Sequence, residues 1–168
     1  MKNKGITLVA LTITIIILLI IAGISISAGE NMIKKAKLEG LKTNMLLIQA
    51  KAKQYVEEAN FKIGNSTEDT DKIAEVREEI YVEKAKLEVA NDEIKNKINV
   101  TGDNLYVLTK DENKDTYSEW GLNKIELDSD SGETYVIRFD ENNLTVEVYN
   151  TLGYNGKYSL TDIDQIEE

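Results

Sequence analysis

The sequence predicts an α+β chain: a long amino-terminal helix, membrane-spanning in its first half and amphipathic in its second, then a helical connector and a small carboxy-terminal antiparallel β-sheet. Three features carry this reading. Residues Ile6 to Ile26 hold no charge over twenty-one positions, ITLVALTITIIILLIIAGISI. An apolar stripe with helical spacing follows without a break. The last third of the chain carries short β-type runs punctuated by turn residues.

The apolar run is about 30 Å long as a helix, the thickness of a hydrocarbon core. Only Lys2 and Lys4 are charged within the first 28 residues. The run exceeds the roughly 7–15 residues of a secretory signal core, and its helical pattern continues past the small residues Ser25 and Ser27 where such a signal would be cut. Leu38, Leu41, Met45, Ile48, Ala52, Tyr55 and Ala59 are spaced 3, 4, 3, 4, 3 and 4 residues apart, which is one apolar face of an amphipathic helix. Lys37, Glu39, Lys42, Lys51, Lys53, Glu57 and Glu58 occupy the remaining surface. The stripe is expected to be buried against a head domain. No proline occurs anywhere in the chain, so nothing forces this helix to break. Thr7, Thr14 and Ser25 share one line of the helix, with Thr12, Gly23 and Ser27 close to another. Such positions permit close helix packing, although hydroxyls also bond back to their own backbone.

Phe61 to Lys72 reads as a loop, with Gly64-Asn65-Ser66-Thr67 and Asp69-Thr70-Asp71 supplying turn and cap chemistry. Ile73, Val76, Ile80, Leu87, Ala90, Ile94 and Ile98 then suggest a second helix, capped by Thr70 or Asp71 and ending before Gly102. Leu105–Leu108, Tyr135–Phe139 and Leu144–Tyr149 read as strands, the last two forming a hairpin around Asp140-Glu141-Asn142-Asn143. Asn155-Gly156 marks a further tight turn. The expected divisions are residues 6–28 for the first helical half, 29–60 for the amphipathic half, 61–104 for loop and second helix, and 105–168 for the β-rich head.

The chemistry available is limited. There is no Cys and no His, and the formal net charge is −10. Disulfides, thiolate zinc sites and Cys or His nucleophile–base pairs are excluded. An acidic head without a basic, aromatic-interleaved patch is not expected to bind nucleic acid. No phosphate loop or nucleophile motif is present, and no enzymatic activity or cofactor is expected. Asp111, Asn113 and Asp115 have the alternate spacing of calcium ligands. Thr116 stands where the turn glycine belongs and Leu122 where the bidentate glutamate belongs, so a solvated acidic loop is expected. Asp128-Ser129-Asp130-Ser131-Gly132-Glu133 is similarly incomplete. Three Asn-x-Ser/Thr matches, at Asn65, Asn99 and Asn143, carry no assigned role.

Lys4-Gly5-Ile6-Thr7-Leu8, set directly before the apolar run and the amphipathic helix, resembles the amino-terminal signal of type IV prepilins and type II secretion pseudopilins. The resemblance covers about the first third of the chain. It implies a leader, residues 1–5, removed between Gly5 and Ile6 by a prepilin peptidase that also methylates the new terminus. It further implies a filament subunit of a pilus, secretion or competence system, held in the cell membrane as a single-pass protein with its head on the extracytoplasmic side before assembly. Its partners would be other pilin-like subunits, a membrane assembly platform and membrane lipid. The leader-in, head-out orientation follows from the resemblance, since Lys34, Lys35, Lys37 and Lys42 offset the positive charge of Lys2 and Lys4. Most family members carry a glutamate where this chain has Ala10. That carboxylate offsets the cost of burying the cationic terminal amine. Its absence points to a minor subunit, since it is also absent from some minor subunits, including a tip pseudopilin. Thr7, Thr12 and Thr14 offer only hydroxyl oxygens in its place. The alternative is a permanently anchored extracellular binding or adhesion module; a surface hydrolase is the third and weakest reading.

Overall fold

The computed structural model describes residues 4–64, 69–140 and 144–166, with the side chains of 4–10, 20–28 and 129 outside the description. The chain divides into two units, Met1–Gly40 and Leu41–Glu168. One helix, α1, runs Lys4–Ile63, 60 residues without interruption. With no proline on the chain, its i→i−4 ladder meets no residue that lacks an N–H.

The membrane-spanning expectation for residues 6–28 does not hold. Among the described residues, no helix is long and apolar enough to cross a membrane. The expected single-pass placement in the cell membrane, head outward, falls with it.

In the second unit, α1 buries the stripe that its spacing predicts. Met45, Ile48, Ala52 and Ala59 are fully buried, and Val56 joins them. Leu41 and Tyr55, expected in the core, are only half-buried. Each lies on the flank of the stripe, where the helix surface turns toward solvent.

The expected single helix from Ile73 to Ile98 is instead four pieces. Asp69 caps α2, Thr70–Glu78, by accepting from the Lys72 amide at 3.2 Å. A π-helical turn, Glu79–Lys84, follows. The chain then leaves helical geometry: Lys86 adopts a left-handed backbone, φ 55°. A two-residue strand, β1 (Glu88–Val89), precedes α3 (Asp92–Lys97). The Asn91 side chain caps α3 by accepting from the Ile94 amide at 2.9 Å. The near-heptad apolar spacing is divided among these pieces and their links: Ile80, Leu87, Ala90 and Ile98 are buried, whereas Ile73, Val76 and Ile94 are only partly so.

That sheet is a five-stranded antiparallel meander in the order β1-β2-β3-β4-β5. Its remaining strands are β2 (Leu105–Val107), β3 (Tyr135–Asp140), β4 (Thr145–Tyr154) and β5 (Lys157–Ser159). A short helix α4 (Thr116–Glu119) lies between β2 and β3, and α5 (Leu160–Asp164) ends the fold. The register pairs Tyr106 with Ile137, Ile137 with Val148, and Val136 with Tyr149. Both faces are covered, which explains why β3 is buried along most of its length rather than alternating. On one face Ala90, Ile98, Leu105, Val107, Val136 and Tyr149 form a core with Ile94, Val100 and Tyr158 packed against it. On the other, Tyr81 of the π-helical turn stacks on Phe139, centroids 3.9 Å apart and 3° from parallel. Tyr106 meets both rings edge-on. Here α1 is tied to the strands by Gln49 Nε2 donating to the Val146 carbonyl at 3.1 Å and Asn44 Nδ2 donating to the Tyr135 hydroxyl at 3.3 Å.

Gly153 lies within β4, in the stretch where its pairing with β5 is irregular. Its φ is +62°, and a Cβ there would stand 2.3 Å from the Lys157 carbonyl oxygen. Only glycine meets both conditions without displacing backbone.

Candidate functional site

One cleft gathers Glu88, Asp111 and Glu119, but Lys114 pairs with Glu88 and Lys86 with Glu119, so these acids are used within the fold. The feature that calls for a function is α1 itself. Leu11, Ile13, Ile15, Ile16, Ile17, Leu18 and Leu19 are each 49–67% exposed. Single exposed apolar residues are ordinary, but a contiguous apolar run marks an interaction surface. Apolar residues occur on every side of this helical stretch, so no rotation of the helix would hide them. Burial requires partners around the whole circumference.

The motif residues Lys4, Gly5, Ile6, Thr7, Leu8 and Ala10 all lie on the helical backbone of α1. Their side chains fall outside the described residues, as do Met1 to Asn3. Thr12 and Thr14 both have partners in the structure. Of the predicted packing residues, Leu38, Met45, Ile48 and Ala52 are buried.

The acidic loop Asp111–Asp115 uses its side chains on itself. Asp111 Oδ1 accepts from the amides of Asn113 and Lys114, both at 2.8 Å. The backbones of Asp115 and Lys110 form an isolated antiparallel β-bridge, and the Asp115 side chain caps α4 by accepting from the Ser118 amide at 3.0 Å. Asp128 likewise accepts from the amide and hydroxyl of Ser131. These are turn and cap interactions, and among the described residues no group of three or more acidic side chains is arranged to hold a metal ion.

A polar and aromatic cluster in the second unit lay beyond the sequence reading. Trp120, 2% exposed, donates from Nε1 to the Ala85 carbonyl at 3.0 Å and packs on Tyr55 at 5.0 Å between centroids. Asn150 is fully buried. Its Nδ2 donates to Glu133 at 2.7 Å, and its Oδ1 accepts from the amides of Leu152 and Gly153. Burial pushes the Tyr135 phenol up to about 12, and burial also raises Tyr117. These groups are satisfied and serve to position the turn of β4 and the seat of α1. The signal that could have found them is the combination of the chain's single tryptophan with Asn and Tyr in otherwise apolar runs.

Comparison with protein-family models, with curated proteins and with solved structures gives no match.

Proposed function

We propose that the chain is a pilin-like structural subunit of a type IV pilus or of a secretion- or competence-type filament, and a minor subunit within it. The observation that supports this reading is the exposed apolar stretch Leu11–Leu19 on the same helix whose later stripe is buried by the head. A helix apolar on all sides requires several neighbours. The core of a filament supplies them, as like helices of adjacent subunits pack around it. Lys4-Gly5-Ile6 then provides the processing signal, and removal of residues 1–5 takes away Lys2 and Lys4, the charges that precede the apolar stretch. Ala10 leaves the new terminal amine without a carboxylate of its own chain nearby, which favours assembly beside subunits that carry one.

The test is the mature terminus. Mass spectrometry of the protein from cells with a prepilin peptidase should find Ile6 first, N-methylated, and Gly5→Leu should leave residues 1–5 attached. A terminus at Met1 or Ala28 would overturn the reading. Electron microscopy should show filaments only when other pilin-like subunits are present. Abundant filaments of this chain alone would remove the minor-subunit assignment and leave the pilin-like one standing.

A further inference from the structure

Of the chain's fifteen asparagines only Asn155 is followed by glycine. The pair forms the two-residue turn between Tyr154 and Lys157, which face each other across β4 and β5. Both residues take positive φ, 50° and 73°, the left-handed combination that a tight hairpin requires and that Asn-Gly adopts at low cost.

The turn leaves its own reactive groups unguarded. Asn155 and Gly156 are both exposed. Among the described residues no hydrogen bond holds the Asn155 side chain or the Gly156 amide. Beyond its chain neighbours, no atom lies within 4 Å of the point where a Gly156 Cβ would stand. Asn150 is the contrast. It is fully buried, Glu133 and the amides of Leu152 and Gly153 hold its side chain, and the β-branched Thr151 follows it. The Asn155 turn is also weakly held. β5 is a three-residue edge strand, and its pairing with β4 shifts register between Tyr149 and Tyr154. Short, irregular edge pairings of this kind open locally at small cost in free energy.

We infer that Asn155-Gly156 is a self-modification site. With the turn open, the Gly156 amide nitrogen gives its proton to water and attacks Asn155 Cγ. A new C–N bond closes a succinimide ring, and the side-chain nitrogen takes up a proton and leaves as ammonia. Water then adds across one ring C–N bond. One opening yields aspartate at 155. The other yields isoaspartate, whose main chain runs through the former side chain and is longer by a methylene. Either product places a new carboxylate beside Lys157.

The longer main chain does not fit this hairpin. A Cβ on Gly153 would stand 2.3 Å from the Lys157 carbonyl oxygen and 2.7 Å from the Tyr158 ring, so β5 has no slack on that side. α5 begins directly after β5. Ser159 caps it, Leu160 and Ile163 are buried, and Thr161 donates to Glu147 from its amide at 3.0 Å and its hydroxyl at 2.8 Å. Isoaspartate at 155 therefore loosens the end of the fold. Aspartate, which tolerates left-handed backbone as asparagine does, leaves it in place. The inference stands independently of the filament reading.

The test is storage of the full-length chain at body temperature, folded and in urea, followed by peptide mapping. In the folded chain the peptide holding Asn155 should gain the mass difference between hydroxyl and amine, with fragmentation placing the change at 155 and not at Asn150. Both isomers should appear, and faster in mildly alkaline than in mildly acidic buffer, because the attacking amide must lose its proton. In urea, Gly156→Ala should slow the change about tenfold, since a Cβ crowds the attacking nitrogen. The isoaspartyl fraction should unfold at lower urea than the starting chain, and Asn155→Asp at the same urea. Conversion in urea with none in the folded chain would overturn the inference, because the hairpin would then protect the pair. Equal conversion at other asparagines would also overturn it. An isoaspartyl fraction as stable as the starting chain would overturn the proposed loosening of β5 and α5.

Discussion

Two stretches of one helix put apolar side chains to opposite uses. Between Leu11 and Leu19 they remain about half exposed, whereas Met45, Ile48, Ala52 and Ala59, farther along α1, are 0% exposed. Both stretches are helical, although the earlier one, with six β-branched residues from Leu11 to Leu19, has the lower intrinsic propensity. What decides their burial is arrangement. The later stretch confines its apolar residues to one stripe and sets Lys51, Lys53, Glu57 and Glu58 elsewhere, so a single sheet face can bury it. The earlier stretch has no polar side to leave in water, and no single face could satisfy it. Within one chain, a stripe marks a surface that is filled by folding, and an apolar circumference marks one that waits for other molecules.

The largest expected effect separates these two uses directly. Ile48→Asp places an unpaired carboxylate at a fully buried position and should cost on the order of 3–5 kcal/mol, read as a large drop in the urea midpoint of the full chain. Ile16→Asp should shift that midpoint by less than about 0.5 kcal/mol, because the side chain is already exposed, yet it should abolish incorporation into filaments. If Ile16→Asp unfolded the head or Ile48→Asp did not, the contrast between the stretches would be broken.

Alkaline titration sharpens the buried side. Burial raises the phenols of Tyr135, to about 12, and of Tyr117 above their ordinary value. Their neutral forms therefore stabilise the fold fully below about pH 10, and that stabilisation is lost as pH rises from 10 through about 12, each unit of displacement being worth about 1.4 kcal/mol. Tyrosinate absorbance should lag behind that of free tyrosine and then rise together with loss of circular dichroism. Early titration of all eight tyrosines before any unfolding would show the interior to be wetter than described.

The smallest effect concerns the seam between α1 and the rest of its unit. Trp120→Phe keeps a ring against Tyr55 but leaves the Ala85 carbonyl without its donor. It should cost about 1–3 kcal/mol in urea denaturation, while Trp120→Ala, which also empties buried volume, should cost more. Equal losses for the two variants would mean that the hydrogen bond, not the packing, holds the ring.

Periodicity carried much of this in the sequence. The Met45–Ala59 stripe and the hairpin of β3 and β4 could be read because a single spacing rule decides them. The segment from Ile73 to Ile98 reads as one helix by its spacing but folds as four pieces, with neither Gly nor Pro to announce the breaks. Lys86 takes the left-handed conformation there, a role that residue type does not signal. The apolar length of 6–26 suggested a membrane span, an expectation that the described helix does not support. Asp111, Asn113 and Asp115 matched a ligand spacing, yet the same short side chains are the ones that close turns and cap helices, and here that is their use.

The ties that seat α1 also set a timetable. Asn44 bonds to a group 91 residues later, Gln49 to one 97 later, and Lys42 Nζ to the Ile166 carbonyl 124 later. Closing such distant contacts costs entropy before any burial repays it, so the head should fold slowly for its size, in milliseconds to seconds rather than microseconds. During synthesis the helix emerges before the strands it packs on, and its farthest anchor follows 124 residues later. Its apolar stripe therefore stays uncovered while those residues are made, at a ribosomal pace of roughly 5–20 residues per second, and that interval is when the nascent chain most needs protection from aggregation.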